Sequence, residues 1–287
     1  MPWIGHHPAR RLLDQTSGLP TIGWEASCKF SPAGIDSGRL LVAIKRSSLS
    51  LSRWERLIGD FAMPEPLKTL FLEQLPQSVR LGLGYEQGSV SSVAKAYLEF
   101  ETAIAPSLSI VGYKWPISAR GNPYNRPIRV TEYSILNGMK TSWLIQMLRN
   151  AAMSEDIAPV YDLLADLLEQ TGYRVGNQSP TIMSVREEGF LRSSYALDFR
   201  GADLSAEALR NPILVLAQAW ALDLIEVDQL FNAIGHRQIS WLAAGVSSTG
   251  LPVFTLYCVA DQIDAVQACY ASDASLNHGA RFSVVAV

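Results

Sequence analysis

Short runs rich in β-branched and aromatic residues recur in pairs along the chain, alternating apolar with polar side chains and bounded by Gly, Pro, Ser or Asn. The first runs from Thr21 to Phe30 and returns over Arg39 to Ser47, with Ser31-Pro32-Ala33-Gly34 opening the turn. The second pairs Val79 to Glu86 with Val93 to Glu101 through Gln87-Gly88-Ser89. The third pairs Leu108 to Trp115 with Ile128 to Leu136 across a long loop, Pro116 to Pro127, whose Gly121, Pro123 and Pro127 exclude regular structure. The fourth pairs Thr181 to Glu187 with Arg192 to Gly201, and the fifth Gln238 to Val246 with Val253 to Ala260.

Between the hairpins the apolar period lengthens to that of a helix. Helices are predicted over Leu51 to Phe61 behind a Ser52…Glu55 capping box, Leu67 to Leu75, Met139 to Met153, Val160 to Thr171, Pro212 to Ile225 and Val227 to Ile234. Helix, strand, strand, helix in repetition is neither the strand-helix alternation of a parallel α/β fold nor a helix-free barrel. It predicts an α+β protein: a ten-stranded antiparallel barrel ringed by helices, in one domain spanning residues 1–287.

Such a barrel gives each strand an apolar face under helices and a second face toward a lumen. In Lys95-Ala96-Tyr97-Leu98-Glu99-Phe100 the polar residues Lys95, Tyr97 and Glu99 share one face. Glu25, Ser27 and Lys29 do the same opposite Trp24, Ala26, Cys28 and Phe30. A one-sided sheet would show such faces to water; ten strands with helices over the apolar side favour enclosure.

Composition narrows the function classes. The chain has 287 residues, 48% hydrophobic and 18% charged, enough to bury a sizeable core. Lys and Arg number 24 against 27 Asp and Glu, a net charge of −3 without long single-sign runs, which gives no indication of a broad nucleic-acid or anionic-membrane surface and leaves room for a local cationic pocket. The amino terminus lacks a signal-peptide core, and the longest apolar stretch, Ile213 to Ile225, is broken by Gln218 and Asp223, so a cytoplasmic protein without membrane insertion is expected, most simply a monomer. Cys28, Cys258 and Cys269 have neither metal-ligand nor redox spacing and read as reduced thiols. His6-His7 has no third ligand nearby, and Asn177-Gln178-Ser179 reads as a turn. Gly82-Leu83-Gly84-Tyr85-Glu86-Gln87-Gly88 misplaces the third glycine of a dinucleotide loop and precedes a strand.

Trp24-Glu25-Ala26-Ser27-Cys28-Lys29-Phe30 resembles the first barrel strand of the peptide prenyltransferases of cyanobactin pathways, which carries a similar Glu-Ala-Ser-Cys-Lys string. Weaker matches follow in order: Arg39 heading Gly38-Arg39-Leu40-Leu41-Val42, then Ser92-Val93-Ala94-Lys95-Ala96-Tyr97, then Trp241-Leu242-Ala243-Ala244-Gly245-Val246 before Phe254-Thr255-Leu256-Tyr257. The resemblance covers roughly residues 20 to 260. It implies the ABBA prenyltransferase barrel and transfer of a prenyl group, dimethylallyl foremost, from an allylic diphosphate to a side chain of a ribosomal, cyclic peptide. Magnesium, in that family, rides on the donor diphosphate. No Asp-Asp-x-x-Asp cluster is present, unlike in the all-helical isoprenoid synthases, so no protein-held metal is expected.

The chemistry assigns residue types. A leaving diphosphate needs fixed cations in a water-poor site, for which Lys29, Arg39, Lys95, Lys114 and Arg192 are candidates. A carbocation-like prenyl fragment is shielded by aromatic faces, for which Tyr97, Tyr133, Tyr195, Trp241 and Tyr257 are candidates. Glu25 is the candidate base for the acceptor's proton. Glu99 and Asp198 are further acids that would select the acceptor; Glu99 would bind a cationic acceptor such as a guanidinium, or pair with a lumen Lys. Two other readings stay open: a barrel prenyltransferase for small aromatic metabolites, and a non-catalytic barrel for an apolar ligand.

Overall fold

A computed structural model describes residues 8–86, 92–101, 108–117, 129–136, 139–151, 155–171, 181–187, 189 and 191–260. Its ten strands are β1 (Thr21–Ser31), β2 (Gly34–Lys45), β3 (Arg80–Glu86), β4 (Ser92–Glu99), β5 (Leu108–Ile117), β6 (Arg129–Leu136), β7 (Ile182–Glu187), β8 (Ser193–Asp198), β9 (Ile239–Val246) and β10 (Pro252–Ala260). Each pairs antiparallel with its sequence neighbours, and β10 returns to pair with β1, closing the barrel. The five hairpins are therefore joined edge to edge, and none of the ten described strands has an open edge.

Seven α-helices are described: α1 (Pro8–Thr16), α2 (Leu51–Asp60), α3 (Glu65–Gln74), α4 (Thr141–Ala151), α5 (Ala158–Thr171), α6 (Arg210–Ala219) and α7 (Leu224–Ile234). They cover the apolar strand faces in two clusters. Around α1 to α3, Trp54, Ile58 and Phe71 pack on Leu81, Leu83, Tyr113 and Trp115. Around α4 to α7, Leu164, Ile213 and Phe231 pack on Phe30, Leu242 and Phe254. Each fully buried side chain of this size contributes about 1.5–3 kcal/mol. The polar tips that go inside find partners: Trp54 Nε1 donates to the Arg46 carbonyl at 3.0 Å, and the Tyr113 hydroxyl to Gln74 Oε1 at 2.9 Å.

Four sequence expectations change. The second strand starts at Gly34, not Arg39, because pairing with β1 extends down to Ser31↔Gly34 through Ile35 and Asp36, whose setting reads as a turn in isolation. Gly34, at φ +130°, makes that tight turn possible. Helix α2 is capped by Ser50, whose hydroxyl accepts from the Arg53 amide at 3.4 Å, so Ser52 lies inside the first turn rather than capping it. The predicted helix Pro212 to Ile225 breaks after Ala219: Ala221 takes a positive φ of 54°, and the Asp223 carboxylate accepts from the amides of Ile225 at 2.8 Å and Glu226 at 3.4 Å, starting α7 afresh. Helix α1 was not expected from periodicity; it buries Leu12 and Leu13 beside the barrel.

Cys28 and Cys258 are free, and burial pushes both thiols up to about 12. His6-His7, the loop over 118–127, Asn177-Gln178-Ser179 and Cys269 lie outside the described residues. Among the described residues no helix is long and apolar enough to cross a membrane.

Candidate active site in the barrel lumen

The strand period of two sends alternate side chains into a lumen cavity of about 660 Å³. Strand β4 displays its logic on one face: Lys95, Tyr97 and Glu99 all line the cavity, while Ala96 and Leu98 are buried in the outer core. Strand β1 runs the other way and lines the same cavity with Lys29 and Glu25. Four strand residues separate each cation from its acid, about 13 Å at the usual rise per residue. The lumen thus has a cationic end, an aromatic middle and an acidic end.

At the cationic end two carboxylates each gather three cations. Glu86, the last residue of β3, pairs with Lys95, with Arg39 at 3.4 Å and with Lys29 at 3.6 Å; Lys29 also pairs with Asp36. Glu187, the last residue of β7, pairs with Lys114 at 2.7 Å, Arg192 at 3.5 Å and Arg129 at 3.6 Å, and accepts from the Thr131 hydroxyl at 2.8 Å. Burial pushes the Glu86 carboxyl up, but Arg39, Lys95 and Lys29 outweigh it and hold it well below the usual carboxylate range. Burial likewise raises Glu187, and Lys114, Arg192 and the Thr131 hydrogen bond bring it below its ordinary value. Burial lowers Lys95; Glu86 pulls it up, Arg39 and Arg192 push it down, and it settles at about 8. Two buried donors of Arg39, Nε and Nη1, have no hydrogen-bond acceptor.

In the middle, Tyr97 meets Tyr133 edge to face with ring centroids 5.9 Å apart. Tyr257 and Trp241 line the same cavity. Tyr97 lies between Gly82 of β3 and Gly112 of β5 in register. A Cβ at Gly112 would come within 2.8 Å of its ring, and one at Gly82 within 3.2 Å, so both glycines are needed to lay the ring on the wall.

At the acidic end Glu25 is half-buried. Burial raises its pKa, a hydrogen bond from Ser240 and the charge of Arg200 lower it, Asp198 raises it, and the net shift is upward. Asp198 accepts from Arg200 Nε at 2.9 Å, and that guanidinium lies 5.4 Å from the Trp241 ring centroid. Glu99 pairs with Arg80 at 3.3 Å rather than with a lumen lysine.

Of the side chains singled out in the sequence, the lumen brings together Glu25, the five cations, Tyr97, Tyr133, Trp241, Tyr257, Glu99 and Asp198. Tyr195 does not join them: it sits on the outer face of β8 with its ring 6.1 Å from Tyr161 of α5. The reason is parity, since Ser194, Ala196 and Asp198 face inward and residue 195 must face out. Arg129, Glu86, Glu187, Arg80 and Arg200 went unrecognised. Arg129 was within reach, being four residues before Tyr133 on one strand and hence on its face. The partners of the two Glu residues come from other strands and left no local signal.

No protein-family model matches the chain, and no curated protein does. Solved structures do. 5-dimethylallyltryptophan synthase from Streptomyces coelicolor superposes with a TM-score of 0.55 at 13% identity, covering 84% of this chain and 81% of that one. AnaPT from Neosartorya fischeri gives 0.53 at 10% identity over 82% and 77%. NotF prenyltransferase gives 0.52 at 9% over 83% and 80%. The fold is the ABBA-type prenyltransferase barrel. At these identities the likeness establishes the barrel and its helices, and the chemistry must be argued from the lumen itself.

Proposed function

We propose that this chain transfers a prenyl group, dimethylallyl foremost, from an allylic diphosphate to an amino-acid side chain of a ribosomal peptide. The observation that carries the reading is the axial order of the lumen, with cations, then tyrosines, then acids, each suited to one part of that reaction. The buried, unsatisfied Nε and Nη1 of Arg39 are donors awaiting an anion, and burying such groups is costly unless one arrives. Lys29, Lys95, Lys114 and Arg192 join Arg39 around the diphosphate, where fixed positive charge favours departure of the leaving group. The C1–O bond of the donor breaks with its electron pair going to the diphosphate, and the acceptor's nucleophilic atom bonds to C1.

Tyr97, Tyr133, Tyr257 and Trp241 present ring faces to the positive prenyl fragment and exclude water from it. Glu25 takes the proton that the acceptor loses; its raised pKa makes it a stronger base than an ordinary carboxylate. Glu99 and Asp198, held at the acidic end by Arg80 and Arg200, frame the acceptor's entry. Magnesium belongs to this reading as a counter-ion of the donor. In this reading the oxygens of the donor diphosphate would hold it.

The peptide acceptor rests on the likeness of the Trp24 to Phe30 string, and exposed Ile22 and Val259 near Glu25 offer an apolar rim to a chain. A small aromatic acceptor is the second reading, favoured by the superposition on a dimethylallyltryptophan synthase. Mass spectrometry decides between them: peptides containing Tyr, Trp, Arg or His, and free tryptophan, are incubated with dimethylallyl or geranyl diphosphate and magnesium. A mass gain on a peptide, lost in Glu25→Gln, is expected; gain on free tryptophan alone would select the small-molecule reading, and no gain on any acceptor would remove transfer chemistry.

A further inference from the structure

The cationic end contains something that diphosphate binding does not by itself require: two carboxylates set in the midst of the cations. Glu86 draws its three partners from β1, β2 and β4, the strands around its own β3. Glu187 draws its partners from β5, β6 and the segment leading into β8. The two groups meet where Lys95 and Lys114 stand opposite each other in register. Among the described residues six cations face Glu86, Glu187 and Asp36, a formal excess of three positive charges.

We propose that Glu86 and Glu187 are positioning residues, each an internal counter-ion that gathers three cations and holds them aimed into the lumen before the donor's diphosphate arrives, favouring the charged form of Lys95 and Lys114. This rests on the diphosphate site proposed above. The geometry is that of an anion site already half-filled. Carboxylate oxygens lie within ion-pair distance of every cation, yet the site keeps its positive excess and the free Arg39 donors for the incoming phosphates. Without the carboxylates, lysines this buried and this close to Arg39 and Arg192 would shed their protons, because burial and like charge act in the same direction. Among the described residues Glu86 is the carboxylate that favours the charged Lys95, against Arg39 of β2, Lys114 of β5 and Arg192 ahead of β8.

The test is calorimetric binding of inorganic pyrophosphate to the full chain from pH 6 to 9.5, a range bracketing the Lys95 value of about 8. Wild-type affinity is expected to fall through that value. In Glu86→Gln the fall should move down by about one pH unit or more, and Glu86→Asp should restore the wild-type profile. Superimposable profiles for wild type and Glu86→Gln would overturn the proposal, as would tighter binding by Glu86→Gln at every pH, which would make the carboxylate a competitor of the diphosphate. A second measurement reads the lysine directly: reductively methylated Lys95, followed by carbon-13 NMR, should titrate lower in Glu86→Gln than in the wild type, and an unchanged value would overturn the proposal equally. Absence of pyrophosphate binding at every pH, with a depressed Lys95 that Glu86→Gln depresses further, would retire the donor site and leave the counter-ion role standing.

Discussion

At the residue scale, the lumen is set by side-chain size as much as by charge. Trp241 occupies the wall beside the aromatic layer, and each added isoprene unit needs volume that an indole fills. Trp241→Gly should therefore accept geranyl diphosphate, read as a mass gain of the longer group on the acceptor; no gain would mean that the indole does not limit the donor. Gly112 makes the converse case. Gly112→Ala puts a methyl 2.8 Å from the Tyr97 ring and should displace it, weakening the shield. The expected signature is hydrolysis of the donor in place of transfer, measured as free prenyl alcohol per peptide modified.

At the element scale, the strands were legible because half-buried β-structure writes its period into the chain. Lys95, Tyr97 and Glu99 declare one face without knowledge of any neighbour. Local signals failed where a neighbour decides. Ile35-Asp36 looks like turn sequence until β1 pairs with it. The run from Pro212 to Ile225 looks like one helix, yet the chain turns at Ala221 and the Asp223 carboxylate restarts it. Asp223→Ala should cost about 1 kcal/mol through loss of that cap, visible as a lower midpoint of thermal unfolding with catalysis otherwise unchanged. Tyr195 has the aromatic character of a prenyl shield, but strand parity turns it outward onto Tyr161 of α5.

At the scale of the whole molecule, closure of the barrel makes the lumen charges interdependent, and stability should respond to pH accordingly. Glu86 and Glu187 are held below their ordinary value of 4.5. A carboxylate depressed in the folded state contributes stability that is fully present above that ordinary value and is lost as pH falls through the folded one. Thermal unfolding without ligand should therefore show a midpoint that declines steeply below about pH 4.5, with Glu187→Gln flattening the decline. An acid profile identical in wild type and Glu187→Gln would show that the carboxylate is not ion-paired in solution.

The sequence by itself determined the number of strands, their pairing into hairpins, the helices between them, and the shared polar faces that bear Glu25 and Lys29, and Lys95, Tyr97 and Glu99. Those follow from periods of two and of about 3.6 residues, which are properties of one segment at a time. Only the tertiary structure decided that β10 returns to β1, that Glu86 and Glu187 each collect cations from three separate segments, that Arg80 and Arg200 occupy the acids, and that Gly82 and Gly112 make room for one ring. Such contacts join residues far apart in the chain, and their energy arises only when closure removes them together from water.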